Sequence, residues 1–268
     1  MDWHTLSVER RGPLALVSLN RPEKLNAVNF QMFQELDKLI KQLGRDSSLR
    51  AVVLKGAGGS FSSGLDVKSV MASPWQAVRL LFKGLPGNAN LAQRVSLGWQ
   101  RLPVPVIAVL EGRCYGAGMQ IALGADFRLA APDAELSIME AKWGLVPDMA
   151  GLVALRQILP KDKAMELTMT AECLPAAKAA ELGLVTRVEA EPLAAALALA
   201  ERLCERSPDA LAAIKLSTNR SWSAGLRSLL SRESRYQIRL LLGANAKIAA
   251  KRQLKDADAP YRPRQRFW

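Results

Sequence analysis

Three short segments concentrate the residues that could do chemistry. The first is GGSFSSGLDVK at 58–68, directly after the apolar run AVVLKG at 51–56. The second is GRCYGAGMQIALG at 112–124, directly after VPVIAVL at 104–110. The third is SIMEAKWGLVPDMAG at 137–151, which carries the carboxylates Glu140 and Asp148. A glycine-rich turn between a strand and a helix leaves backbone N–H groups unpaired at the helix start, where they can hold an anion or a carbonyl that becomes one. Two such turns facing each other would form a two-donor oxyanion hole, and a carboxylate beside it could move protons. Taken singly, glycines after strands are more often simple turns. Neither turn is a nucleotide motif: Gly112, Gly116 and Gly118 do not fit GxGxxG, and no GxxxxGK[ST] occurs.

Other chemistries lack their parts. The chain has one histidine, His4, and three cysteines, Cys114, Cys173 and Cys204, with no CxxC pair. No metal site and no His-based triad is expected from so few ligands. Cys114 reads as core filling and His4 as a surface residue near a chain end. With 49% hydrophobic and 23% charged residues in 268, the chain reads as globular with a sizeable core. No apolar run approaches the roughly 20 residues that span a bilayer. The N-terminal MDWHTLSVERRG lacks an apolar export segment, so a cytoplasmic protein is expected. The balance of 37 Lys+Arg against 25 Asp+Glu gives +12, a field that attracts anions. Much of it lies at 247–268, which holds seven basic residues (Lys247, Lys251, Arg252, Lys255, Arg262, Arg264, Arg266) and two acids.

The elements that must position the three segments follow from periodicity. Residues 14–20 after Gly12-Pro13 read as a strand paired with 5–9, and 30–43 has the apolar spacing of an amphipathic helix. The runs at 51–56 and 104–110 read as buried strands, with Pro103 and Pro105 confining the latter to an edge or an irregular entry. A helical region between them breaks at Pro86-Gly87-Asn88. Residues 116–124 read as a helix, 126–130 and 135–137 as strands, and the chain beyond 191 as almost wholly helical with a fresh start at Ser207-Pro208. This is an α/β pattern: a core over 1–200 and a C-terminal helical segment over 201–268.

In order along the chain, RPEKLNAVN (21–29), SFSSGLDVK (60–68), PVIAVLEGRCYGAGMQIALGADFRLAA (105–131) and GLVPDMAG (144–151) resemble the crotonase superfamily, the enoyl-CoA hydratase/isomerase family. The likeness covers about 14–188. It implies a crotonase (ClpP-like) spiral of ββα units, C-terminal helices that form a homotrimer or a hexamer of two trimers, and an acyl-CoA thioester as ligand. No cofactor is implied, since CoA arrives with the substrate. The resemblance places the oxyanion-hole N–H groups on Leu65 and Ala117. It places substrate contacts at Lys24, Leu25, Ala27, Ser63, Gly64, Asp66, Gly116 and Gln120, with Lys24 beside the CoA phosphates. Hydratases of the family use two glutamates; one falls on Glu140, but the other falls on Gln120, and a glutamine cannot take a proton at neutral pH. The dienoyl-CoA isomerase branch instead has an aspartate at the spacing of Asp148, although it also has an aspartate where Gln120 stands.

The expectation is therefore double-bond isomerisation through an enolate, with Glu140 and Asp148 as acid/base pair. Alternatives are 2-enoyl-CoA hydration, and an RNA-binding family member whose tail aromatics Tyr261, Phe267 and Trp268 stack on single strands. A helix N-cap is the plain alternative for Asp148, and a structural or substrate-orienting amide for Gln120. Trp75, Phe82 and Trp99 fall where the family shapes its acyl pocket, though core packing suffices for any one of them.

Overall fold

Alternation in LSVERR and LALVSL builds an antiparallel hairpin, β1 (Leu6–Arg11) with β2 (Leu14–Leu19), turned at Gly12 with φ 56°. The computed structural model describes residues 3–266 and Trp268. A 3-10 turn at Pro22–Lys24 leads to α1 (Phe30–Arg45), whose first turn is capped by the Asn29 side chain accepting from the Met32 N–H at 2.9 Å. Then come β3 (Ala51–Gly56), α2 (Val67–Met71), α3 (Pro74–Leu81), α4 (Leu91–Arg101) and β4 (Val106–Leu110). The glycine-rich second segment becomes β5 (Arg113–Tyr115) and α5 (Ala117–Leu123), followed by β6 (Phe127–Ala130) and β7 (Glu135–Ser137). The remainder is α6 (Gly151–Ile158), α7 (Lys161–Thr170), β8 (Leu174–Pro175), α8 (Ala176–Glu181), β9 (Arg187–Val188), α9 (Pro192–Cys204), α10 (Pro208–Ser221), α11 (Leu226–Leu241) and α12 (Ala244–Leu254).

The main sheet has the order β1-β2-β3-β4-β6-β9, parallel from β2 onward; a small second sheet runs β5-β7-β8. Both faces of the main sheet are buried, which is why its strands read as continuous apolar runs. Ala15, Val17 and Leu19 of β2 face the large core formed with α1, α4 and α5, while Leu14 and Leu16 face α9. Along the middle of α9 the buried residues are the small Ala196 and Ala200, with Pro192 buried at its start, so that helix can approach the sheet closely. Of the two readings of Pro103 and Pro105, the irregular entry holds and the edge does not: β4 lies between β3 and β6 and begins at Val106, after both prolines. The break expected after residue 200 falls inside α9, because the helix must stay whole to cover the sheet; the chain changes element at 205–207. There, as expected, Ser207 caps α10, accepting from the Ala210 N–H at 3.3 Å with Pro208 in the first turn.

The buried Lys215 of α10 binds the helical segment to the core, donating to Trp99 O at 2.7 Å and Val104 O at 2.8 Å and pairing with Asp126 at 2.7 Å. Among the described residues no helix is long and apolar enough to cross a membrane.

Candidate active site

Residues 62–66 are clamped between two short parallel bridges, Val28↔Leu65 and Ser62↔Cys114. Val28 donates to Gly64 O at 2.8 Å and accepts from the Asp66 N–H at 3.0 Å. Those bonds use the neighbours of Leu65, so its own N–H points away from the bridge. Ala117 opens α5, where a first-turn N–H has no partner within the helix. Among the described residues neither N–H meets a protein acceptor, and both residues line one cavity of about 300 Å³. The two turns touch. A Cβ placed on Gly64 would lie 3.2 Å from Tyr115 O and 3.9 Å from Ala117 N, and φ there is 101°, so only glycine suits the position.

Glu140 and Gln120 meet in the wall of this cavity. Glu140 opens a 3-10 turn, is 8% exposed, and accepts a 2.6 Å hydrogen bond from Gln120 Nε2 on its Oε1. Its other oxygen, Oε2, is buried with no partner. Gln120 is fixed in orientation, since its Oε1 accepts from the N–H groups of Met149 at 2.9 Å and Gly151 at 3.1 Å. A Cβ on Gly151 would come within 2.8 Å of Gln120 Oε1, so that glycine is what lets the loop close on the amide. One amide thus binds Glu140 to the loop that carries Asp148.

Burial pushes the Glu140 carboxyl above the usual carboxylate range, and the charge of Asp148 adds to this; the Gln120 amide opposes it. Asp148 lines the same cavity, reaches solvent, and is crowded enough that desolvation raises its pKa as well. It does not cap α6. The cap position is Ala150, with φ 65° and no side-chain cap bond, so the capping explanation fails on geometry.

Of the other expected contacts, Ser63, Gly64, Gly116 and Gln120 line the cavity. Lys24, Leu25 and Ala27 flank it: the 24–27 strip is pinned alongside by Ser63 N–H to Leu25 O at 2.9 Å, and Lys24 is exposed. Asp66 is engaged elsewhere. Its carboxylate pairs with Arg21 at 3.1 Å and caps α2 by accepting from the Ser69 N–H at 3.1 Å, so it holds the turn rather than a ligand. Trp99 is fully buried core, whereas Trp75 and Phe82 are 68% and 71% exposed and line no part of the cavity. Its apolar wall is instead Phe33, Val70, Leu80, Ala92 and Met149. Phe33 and Ala92 carried only a helical-periodicity signal, and nothing in their types marked them as pocket residues. Cys114 is fully buried, with burial pushing its thiol far up, and His4 is exposed. Tail aromatics are already covered by the chain itself: Tyr261 lies 5.6 Å from Arg50 and 5.1 Å from Arg252, and Trp268 lies 4.2 Å from Arg239. Phe267 lies outside the described residues.

Residues 9–250 match the family model for enoyl-CoA hydratase/isomerase. A carnitinyl-CoA dehydratase of Shigella flexneri is 35% identical over 214 residues, covering 79% of this chain and 78% of that protein. The short-chain-enoyl-CoA hydratase of Clostridium acetobutylicum is 31% identical over 237 residues, 87% of this chain and 88% of its own length. In three dimensions, the crystal structure of an enoyl-CoA hydratase from Mycobacterium tuberculosis H37Rv superposes with a TM-score of 0.83 at 31% identity, covering 97% of this chain and 98% of that one.

Proposed function

The chain belongs to the enoyl-CoA hydratase/isomerase family, and from that premise we propose an enzyme that moves a double bond along an unsaturated acyl-CoA. The thioester oxygen sits between the N–H groups of Leu65 and Ala117, which take up the charge of the enolate as it forms. That charge acidifies the protons at C2 and, through conjugation, those further along the chain. The Glu140 carboxyl lines the cavity beside the acyl carbons, and Asp148 lies on the same cavity. One removes a proton and the other returns one at a different carbon. Raised pKa values suit both tasks, because each carboxyl can then hold or release a proton near neutrality.

One observation carries the preference over hydration. Both acceptor positions of the Gln120 carbonyl are taken by Met149 and Gly151, and its amide donates to Glu140, so this side chain has nothing with which to accept a proton from water. A hydratase reading is favoured by the names of the relatives, one a hydratase and one a dehydratase. It requires Glu140 and Asp148, not Gln120, to hold the water. Incubation with 2-enoyl-, 3-enoyl- and 3,5-dienoyl-CoA separates the two: isomerisation of the diene creates a longer-wavelength chromophore, while hydration removes the enoyl absorbance. Rapid hydration of crotonyl-CoA with no dienoyl turnover would replace the isomerase reading by the hydratase one.

The same proposal includes no cofactor, a cytoplasmic setting, and Lys24 beside the CoA phosphates. Self-association as a trimer or hexamer is supported by apolar side chains exposed on the C-terminal helices: Ile214 at 62%, Ile238 at 59% and Leu241 at 62%. Light scattering on the purified chain measures it.

A further inference from the structure

A second cavity, of about 570 Å³, opens where the C-terminal ends of α1 and α4 meet the chain's tail. It is far along α1 from the acyl site: Phe33 lines the acyl cavity, whereas Ile40, Gly44 and Arg45 line this one. Its charge is one-sided. Lys41, Arg45, Arg94, Arg101, Arg264 and Arg266 line it against a single acid, Asp37. Asp37 is already occupied by Lys41 at 2.7 Å and Arg94 at 2.8 Å. Arg45 and Arg101 are exposed, and among the described residues neither makes an ion pair or a side-chain hydrogen bond.

Helix C-termini attract basic residues, and Arg45 and Arg101 do lie in last turns. That explains their type but not the donors left over. Arg264 is 4% exposed; its Nη atoms donate to Asp46 O at 3.2 Å and Gln265 O at 3.2 Å, yet its Nε is buried with no partner. Trp268 lines the same cavity, and its Nε1 is buried and unpartnered too. The four arginines left beyond that Asp37 cluster, Arg45, Arg101, Arg264 and Arg266, gathered around one cavity, call for an acceptor-rich anion. A single phosphate would not span such a cavity.

We propose that this cavity binds a pyrophosphate group, free or carried by a nucleotide, with Arg45, Arg101 and Arg264 as its principal contacts. The ligand's charge is met by the guanidinium groups of Arg45, Arg101 and Arg266 at the rim and by Arg264 in the wall beneath them. The site stands on its own residues and does not depend on which acyl-CoA reaction the chain performs.

Titration calorimetry of the full chain at about 150 mM salt, with sodium pyrophosphate and with ADP, tests it; diffuse attraction to surface charge is weak at that ionic strength. Saturable binding is expected. In the double variant Arg45→Gln/Arg101→Gln it should weaken at least about tenfold, the loss of one charge-assisted hydrogen bond being enough for that. Because both side chains are exposed and reach no carboxylate among the described residues, the melting temperature should fall only slightly, by their loss at the helix ends, and acyl-CoA turnover should not change. Tighter binding of ADP than of pyrophosphate would assign a nucleotide, and the reverse a free pyrophosphate. Arg264→Met should also lose binding, with melting measured alongside because Arg264 supports the loop after α1. The proposal is overturned if no saturable heat appears, if the double variant binds equally well, or if affinity rises with the length of a polynucleotide.

Discussion

Replacing Gln120 by methionine keeps the side chain's length and removes both halves of its amide. Three hydrogen bonds go at once: the 2.6 Å bond to Glu140 and those from the Met149 and Gly151 N–H groups. Leaving two buried N–H groups without acceptors costs about 1–3 kcal/mol each, so the variant should lose roughly 2–6 kcal/mol and melt well below the parent chain. The chemical consequence has a separate sign. The amide lowers the pKa of Glu140 against the burial that raises it, so its removal moves that pKa further up. A base must be ionised to act, and the acid limb of kcat/KM should therefore shift to higher pH. Other charges near Glu140 do not change: Asp148 faces it from the 144–150 loop and Lys142 lies on its own turn, while Lys163 and Glu166 of the neighbouring α7 pair with each other at 2.9 Å. Gln120→Glu supplies the conservative comparison. It keeps an acceptor for the loop but sets a second carboxylate against Glu140, so the two share a proton and the limb also moves up, with hydration of 2-enoyl-CoA rising. Stopped-flow or steady-state rates across pH, with melting curves on the same preparations, measure both effects. If Gln120→Met melts early but leaves the acid limb in place, the amide is a loop support only and does not set the base.

Ala117→Pro removes one oxyanion donor at a first-turn position where proline is tolerated, so turnover should fall about 100-fold or more with little loss of fold, whereas Ala117→Val keeps the N–H and should be milder. Equal damage from both would mean that sterics decide the site. Glu140→Gln should abolish turnover while acyl-CoA binding persists; full activity excludes Glu140 as the acid/base. The same variant tests linkage: a carboxyl whose folded pKa is raised favours the fold below the ordinary glutamate value of about 4.3 and loses that contribution as pH climbs through the raised value. Melting of the parent relative to Glu140→Gln should accordingly decline with rising pH, and a flat difference refutes the shift. Asp148→Asn should cost more than about 100-fold in dienoyl isomerisation with stability unchanged, since no helix relies on this carboxylate as a cap. Retained activity would remove it from the proton relay.

Much of the fold was legible in one dimension because it rests on local chemistry. Apolar alternation and runs place β1 to β4, the spacing at 30–43 places α1, and Ser207-Pro208 marks the start of α10; each is a property of consecutive residues and their caps. Glycines requiring positive φ at 64 and 116 likewise announce the turns whose N–H groups are left open. The prolines before β4 left an edge and an irregular entry both open, since a proline reports a missing donor and not which strands flank it; the fold chose the irregular entry. Asp66 misled, because a carboxylate beside a glycine turn serves a ligand or the turn equally well until Arg21, 45 residues away, is brought against it.

Residue types and spacing by themselves determined the family resemblance, the order of strands and helices, and the absence of one hydratase glutamate. What only the tertiary structure decided is the state of the groups those residues carry. Gln120 could have oriented a substrate or merely filled space; the closure of the 149–151 backbone onto its oxygen fixes it as a donor to Glu140. Asp148 is left off the helix cap and on the acyl cavity because Ala150 takes the cap position with φ 65°. The tail arginines read as a basic run, and it is the docking of Arg264 over the end of α1 that gathers them with Arg45 and Arg101 around one cavity. For Gln120 and Arg264 the deciding bonds join residues tens to hundreds of positions apart. Such bonds depend on sheet register and helix packing, which no local propensity encodes.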